Sequence, residues 1–393
     1  GMDYLEGALR TYPWGSRTLL AELRNQPVPS PNPEAELWFG AHPAASSTIG
    51  GRALQDVIRD DPEAALGARV ARRYDNQLPF LVKLLAAGEP LSIQAHPSRE
   101  QALDGFAREN AQGLALDDPR RNYKDANPKP ELIVALSPFR ALAGFRPAGR
   151  TYELFNALGG LYRYSPMLVA ECEEESLRAV FTSLISLPST VRLNLLAEVG
   201  EAARGLAHSG APAWMVEVAE TFLQLAARYP GDVGPLAALM LNHVTLPPGG
   251  ALYLDAGQPH AYLSGLGVEV MANSDNVLRG GLTSKHVDVP ELARVLNFTA
   301  LERPHAPSEE DAAVVRYQLP VDEFRVSRHC VDQGEHVVAD GDGPAIVLCT
   351  AGSVASGDFT LTPGEAVWLP ATDPAATFMS DGIAPAELFY VTV

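Results

Sequence analysis

Two glycine-led segments, far apart in the chain, constrain its fold more than any other feature. The first is Gly88-Glu89-Pro90-Leu91-Ser92-Ile93-Gln94-Ala95-His96-Pro97. The second is Gly249-Gly250-Ala251-Leu252-Tyr253-Leu254-Asp255-Ala256-Gly257-Gln258-Pro259-His260. Each runs from a glycine through a short apolar stretch to a histidine beside a proline. Between them, Lys129-Pro130-Glu131 heads a further apolar run. Residues two apart in a strand share a face. Ser92, Gln94 and His96 therefore line one face, and Lys129 and Glu131 share another. If these faces point into a small barrel, neighbouring strands deliver Gln94, His96, Glu131 and His260 to one point. One Gln, two His and one Glu supply oxygen and nitrogen donors for a borderline divalent cation, with a position left open for substrate. A cation held that way is a Lewis acid, so an enzyme is expected.

The texture along the chain divides it. Residues 1–150 carry short apolar runs broken by Pro and Gly. Leu78 to Leu85 and Glu131 to Leu136 read as strands. Ser98-Arg99-Glu100-Gln101 reads as a helix N-terminus. From 151 to 241 the pattern becomes helical. Leu195, Leu196 and Val199 form a stripe of period 3.6, as do Val218, Phe222 and Leu225. Short strands with Pro/Gly turns return after Leu246. A faint repeat is also visible. Leu246-Pro247-Pro248-Gly249 parallels Leu361-Thr362-Pro363-Gly364, and the second copy has Ala375 where the first has His260. This suggests two related β-barrels, only one of them carrying a metal. The expected fold class is mainly β with a helical domain. The catalytic domain spans 1–150 and 242–303, the helical domain 151–241, and a second barrel without metal ligands 304–393.

Composition excludes some roles. At 393 residues the chain calls for two or three domains. Its net charge of −18 argues against nucleic acid or an anionic membrane as partner. A small anionic substrate remains compatible, because a few local Lys and Arg can dominate one pocket. Three cysteines without CxxC spacing suit a reducing compartment. No leader-like segment or long uncharged apolar stretch is read in the sequence, so a cytoplasmic protein is expected. A monomer or weak homodimer is expected as well.

Longer strings carry a resemblance. Gly88-x5-Gln94-x-His96 followed by a Glu resembles the first cupin motif, with Gln in place of its first His. Gly249-x5-Asp255-x-Gly257-x2-His260 resembles the second, with Asp in place of its Pro. Pro90 to Pro97, Tyr123-Lys124-Asp125-Ala126-Asn127 and Lys129-Pro130-Glu131 closely resemble the type I mannose-6-phosphate isomerase (phosphomannose isomerase) family. So do Tyr229-Pro230-Gly231-Asp232, Ala256 to Gly265, and Met271 to Thr283. Tyr12-Pro13-Trp14-Gly15-Ser16 and Glu36 to Pro43 match the N-terminal signature of that family. The resemblance implies a cupin (jelly-roll) β-barrel catalytic domain, with zinc bound by Gln94, His96, Glu131 and His260. It also implies an active-site role for Arg279, and reversible isomerisation of mannose 6-phosphate and fructose 6-phosphate through a cis-enediolate.

Within that reading, Lys129 and Glu269 are candidates for the base that moves a proton between C1 and C2. Asp275 is a candidate in ring opening. Lys285, His286, Ser92 and Arg279 are candidates for the phosphate end, and Trp14 or Trp38 for a wall of the sugar pocket. Pro128 stands where many family members have a His, so no role is assigned to an imidazole there. His42, in a Pro-flanked turn, reads as structural. Two further readings stay open at this point. Two His and a carboxylate also suit an iron-dependent cupin oxygenase, and a non-catalytic sugar-binding cupin would keep the ligand set without needing both Arg279 and Lys129.

Overall fold

Strand His260–Ala272 organises the first half of the molecule, because it pairs with four other strands. The computed structural model describes every residue except Asp340 and Pro374. At its start the strand pairs with Phe139–Phe145, and His260 also lies opposite Gln94 of Ile93–Ala95. From Gly265 it pairs with Phe80–Ala87, and from Gly267 with Glu131–Ala135 on its other edge. Gly265 is where the strand changes partners. Its φ is +120°, and an added Cβ would lie 2.6 Å from the Pro138 carbonyl oxygen. Gly265→Ala is expected to cost about 1–3 kcal/mol, read as a lower urea midpoint. An unchanged midpoint would show that the bend has no such requirement.

Period-2 alternation then separates two faces. On Phe80–Ala87, residues Phe80, Val82, Leu84 and Ala86 enter one apolar cluster, while Leu85 and Ala87 enter another. On Glu131–Ala135, Leu132 and Val134 join the first cluster, and Ile133 and Ala135 the second. By the same parity Lys83, Glu131 and Glu269 point toward the second side. Both faces are buried, so these strands read as continuous apolar runs rather than alternating ones. The first cluster is shared with the C-terminal part through Ile346, Leu348, Trp368 and Phe389, which docks the two parts together.

The C-terminal part contains a seven-stranded antiparallel sheet and a four-stranded one. Strand Asp3–Leu5 pairs with Ala366–Leu369 in the larger sheet, so both ends of the chain lie in one layer. Five α-helices, Ala148–Ala157, Glu173–Ile185, Ser189–Leu206, Ala213–Arg228 and Gly234–Ala238, fill the middle of the chain. Their buried residues include Leu195, Val199, Val218, Phe222 and Leu225, the stripes visible in the sequence. Helix Arg99–Ala111 starts at a reciprocal capping box, in which Ser98 and Gln101 each bond the other's backbone N–H.

The expectation of a mainly β protein is corrected. The chain is mixed, with 29% of residues in helices and 30% in strands. Helices Leu54–Asp60 and Pro62–Arg73 were not anticipated in a region read as broken apolar runs. The available signal was Asp61 before Pro62, an N-cap before a proline at the first helical position. Among the described residues no sheet closes on itself, and no single helix is long and apolar enough to cross a membrane.

The faint repeat has a structural counterpart. Gly249 and Gly364 have φ of +89° and +91°. Gly250 N–H donates to Pro247 O, and Glu365 N–H to Thr362 O. These are matching turns that need a glycine at the third position. Gly249 N–H donates to Ala135 O, and Gly364 N–H to Cys349 O, each at 2.8 Å. Leu254 lies opposite Glu131 in the first copy, and Leu369 lies opposite Ala345 in the second. In this register Ala345 takes the place in the second copy that Glu131 holds in the first.

Candidate metal centre

His96, Glu131 and His260 converge, with their candidate ligand atoms all within 4.8 Å of one another. All three side chains are buried. His96 follows Ile93–Ala95, Glu131 opens its strand, and His260 opens the long strand that pairs with both neighbourhoods. Glu131 Oε1 is 2.8 Å from His96 Nε2, and Glu131 Oε2 is 3.9 Å from His260 Nε2. Gln94 lies across from both His260 and Arg279 in the strand register.

Hydrogen bonds set the tautomers. His96 Nδ1 meets the Asn276 carbonyl at 2.8 Å, and His260 Nδ1 meets the Gln258 carbonyl at 3.0 Å. A carbonyl only accepts, so each Nδ1 carries the proton and each Nε2 presents a lone pair. Burial pushes the pKa of His96 down and that of His260 down to about 4, so both rings are neutral at pH 7. Burial opposes ionisation of Glu131. Its carboxyl nevertheless sits well below its ordinary range, and with both rings neutral the positive charge that favours the ionised form is the Lys129 ammonium. Two lone pairs thus face an anion. Among the described residues His96 Nε2 has no hydrogen-bond partner despite its 2.8 Å neighbour, because neither atom has a proton to share. The donor set fits a divalent cation, which would satisfy all three groups at once.

A second ring of polar side chains surrounds this point. Burial and Glu131 push the Glu269 carboxyl well above the ordinary range, so it holds its proton. Tyr262 Oη donates to Glu269 Oε2 at 2.6 Å. Lys83 lies opposite Glu269 in the register and forms an ion pair with Glu36 at 3.7 Å. Its ammonium also lies 4.5 Å from the Trp38 ring centroid. Burial opposes its charge, but the Glu36 carboxylate, together with Glu131, raises its pKa. Glu36, Lys83 and Tyr262 were given no role from sequence. Lys83 had a usable signal, a lone cation inside the apolar run Phe80–Ala87.

The remaining candidates lie on other strands and loops of the chain. Lys129 Nζ is 3.8 Å from Glu131 Oε1 and largely buried. Arg279 is half-buried, and among the described residues it has no hydrogen bond or ion pair with another side chain. Burial lowers its pKa, yet a guanidinium keeps its charge. Lys285 is exposed, and burial, Arg279 and Lys124 lower its pKa, so three cations share this rim. His286 is exposed beside it. Ser92 is half-buried just before Ile93–Ala95. Trp14 is half-buried, stacks on Tyr12 and packs with Leu91 beside Tyr262. Asp275 bonds His42 Nε2 at 2.9 Å, and His42 Nδ1 accepts the Ala44 N–H. His42 therefore donates to Asp275, whose carboxyl this bond holds below its ordinary pKa. That pairing spans 233 residues and has no local signature.

The description "Phosphomannose isomerase type I, catalytic domain" matches residues 2–148, and "Phosphomannose isomerase type I C-terminal" matches residues 313–358. The mannose-6-phosphate isomerase of Escherichia coli is 38% identical over 97% of this chain and 98% of its own. The chain belongs to the type I phosphomannose isomerase family. The mannose-6-phosphate isomerase of Salmonella typhimurium is 39% identical over 95% of each chain. A crystal structure of mannose 6-phosphate isomerase bound with zinc and yttrium superposes with a TM-score of 0.88. It is 35% identical and covers 100% of both chains. Membership in the phosphomannose isomerase family favours neither the oxygenase nor the non-catalytic reading.

Proposed function

We propose that the protein interconverts D-mannose 6-phosphate and D-fructose 6-phosphate at one zinc site held by Gln94, His96, Glu131 and His260. The observation that carries this reading is the convergence of two histidine lone pairs on Glu131, with Arg279, unpaired among the described residues, across from Gln94. The strand pairing around His260–Ala272 supports a cupin-type chamber. The matched Gly249 and Gly364 turns support a second, metal-free copy at 304–393. A helical domain over 151–241 and a catalytic domain over 1–150 with 242–303 complete the proposed division.

Zinc at this point would supply a Lewis acid that stabilises negative charge on the sugar oxygens. Arg279 adds a permanent positive charge to the developing cis-enediolate and binds it more strongly than the neutral sugar. Lys129, in its unprotonated form, takes the C2 proton of the open-chain aldose and returns it to C1. Glu269 keeps its own proton in this pocket, so it serves less well as that base. Asp275, oriented by His42, accepts the anomeric hydroxyl proton as the ring opens. Lys285, with Ser92 at the nearer wall and His286 beside it, meets the phosphate. Trp14 lines the sugar pocket. The rim is cationic although the whole chain is strongly acidic, which suits a dianionic small substrate.

The test is a coupled assay of zinc-loaded protein, with mannose 6-phosphate and glucose 6-phosphate offered separately. Fructose 6-phosphate is expected to form from mannose 6-phosphate. No turnover of that sugar by fully zinc-loaded protein would overturn the proposal.

A further inference from the structure

Asp232 lies outside the chamber, yet one of its oxygens ties the helical segment to the strand that carries Arg279. Its Oδ2 accepts the Gly234 N–H at 2.7 Å and the Leu282 N–H at 2.6 Å. The first bond closes a side-chain turn just ahead of the short helix Gly234–Ala238, whose N-cap is Val233. The second reaches residues that follow strand Leu278–Gly281 directly. Leu282 is fully buried and holds φ of +56°, a conformation that non-glycine residues rarely adopt. Gly281 before it has φ of +126°, and a Cβ there would lie 2.4 Å from Gly234 Cα. The register slips between Arg279 and Gly281 as the strand pairs with Ile93–Ala95. The backbone is thus turned sharply just after Arg279, and Asp232 is the side chain that holds the turn. The same loop grips the other strand of the pair. Tyr229 Oη donates to the Pro90 carbonyl at 2.7 Å, ahead of Ser92 and Gln94.

We propose that Asp232 is a positioning residue for Arg279: its carboxylate, shared between Gly234 and Leu282, sets the strand end that aims the guanidinium at the substrate. This rests on the catalytic role given above to Arg279. Backbone rotation at residues 280–282 would swing a half-buried side chain that no other side chain restrains among the described residues. Misplacing such a group by about 1 Å can cost up to about 100-fold in rate.

Asp232→Ser separates the bond to Leu282 from the bond to Gly234. A serine hydroxyl can still accept the Gly234 N–H, as in an ordinary ST turn, but is one atom too short to reach Leu282 as well. We expect folded protein with full zinc content, KM changed little, and kcat lowered about 10- to 100-fold. Asp232→Asn keeps an oxygen at full length and is expected to recover most of that loss. In an Arg279→Ala background, Asp232→Ser is expected to cause no further loss, because its whole effect runs through Arg279. A folded Asp232→Ser with parental kcat, or the same fold-loss with and without Arg279, would overturn the inference. So would an Asp232→Ser protein that fails to fold while Asp232→Asn folds, since Asp232 would then be structural only. A parental kcat in Arg279→Ala itself would instead overturn the role of Arg279.

Discussion

Glu131→Gln is expected to leave a folded protein that has lost its zinc and its isomerase activity. The substitution keeps shape and removes one charge. In the parent, Glu131 is the ionised member of a buried carboxyl pair, and both histidine lone pairs face it. Gln leaves neutral donors only at that point, because Glu269 keeps its proton against Tyr262. Losing partners that merely orient a metal ligand weakens binding by about 10- to 100-fold, and losing the anionic ligand itself is expected to exceed that range. The check is zinc per chain by elemental analysis after dialysis, read together with the circular dichroism spectrum. Chelator treatment of the parent is expected to give the same inactive, folded state, and added zinc to restore it. One retained zinc per chain in Glu131→Gln would refute this assignment.

Arg279→Ala is expected to lower kcat by about 10²- to 10³-fold, or roughly 3–4 kcal/mol of transition-state stabilisation. Zinc content and thermal midpoint should stay near the parental values. The physical reason is the state of the guanidinium. It is half-buried, paired with no carboxylate among the described residues, and registered beside Gln94. A cation left unmatched in a partly desolvated site gains most when an anion forms next to it. Arg279→Lys is expected to recover only part of the rate, because an ammonium lacks the planar fork of donors. Steady-state kinetics against mannose 6-phosphate would decide, and a kcat near the parental value would remove Arg279 from the mechanism.

The two predictions stand on different kinds of information. The convergence of His96, Glu131 and His260 was legible because residue type and period-2 spacing are local properties. Gln94 and His96 share a face by parity, and glycine-led turns mark where their strands begin. The helical stripes at Leu195–Val199 and Val218–Leu225 were legible for the same reason, and so was the Ser98 cap. The helices at 54–73 were missed because a local pattern of Pro and Gly breaks masked an Asp-Pro start. Lys83 escaped notice because a strand buried on both faces hides its parity until its neighbours are known.

Sequence alone determined which atoms are available to hold a cation and roughly which strands bear them, since donor chemistry and strand alternation belong to the residues themselves. Tertiary structure decided the rest. It made Glu131 ionised and Glu269 protonated, joined His42 to Asp275 across 233 positions, and hung the end of the Arg279 strand on Asp232. Those outcomes depend on desolvation and on distances between segments remote in the chain, and no local spacing encodes either.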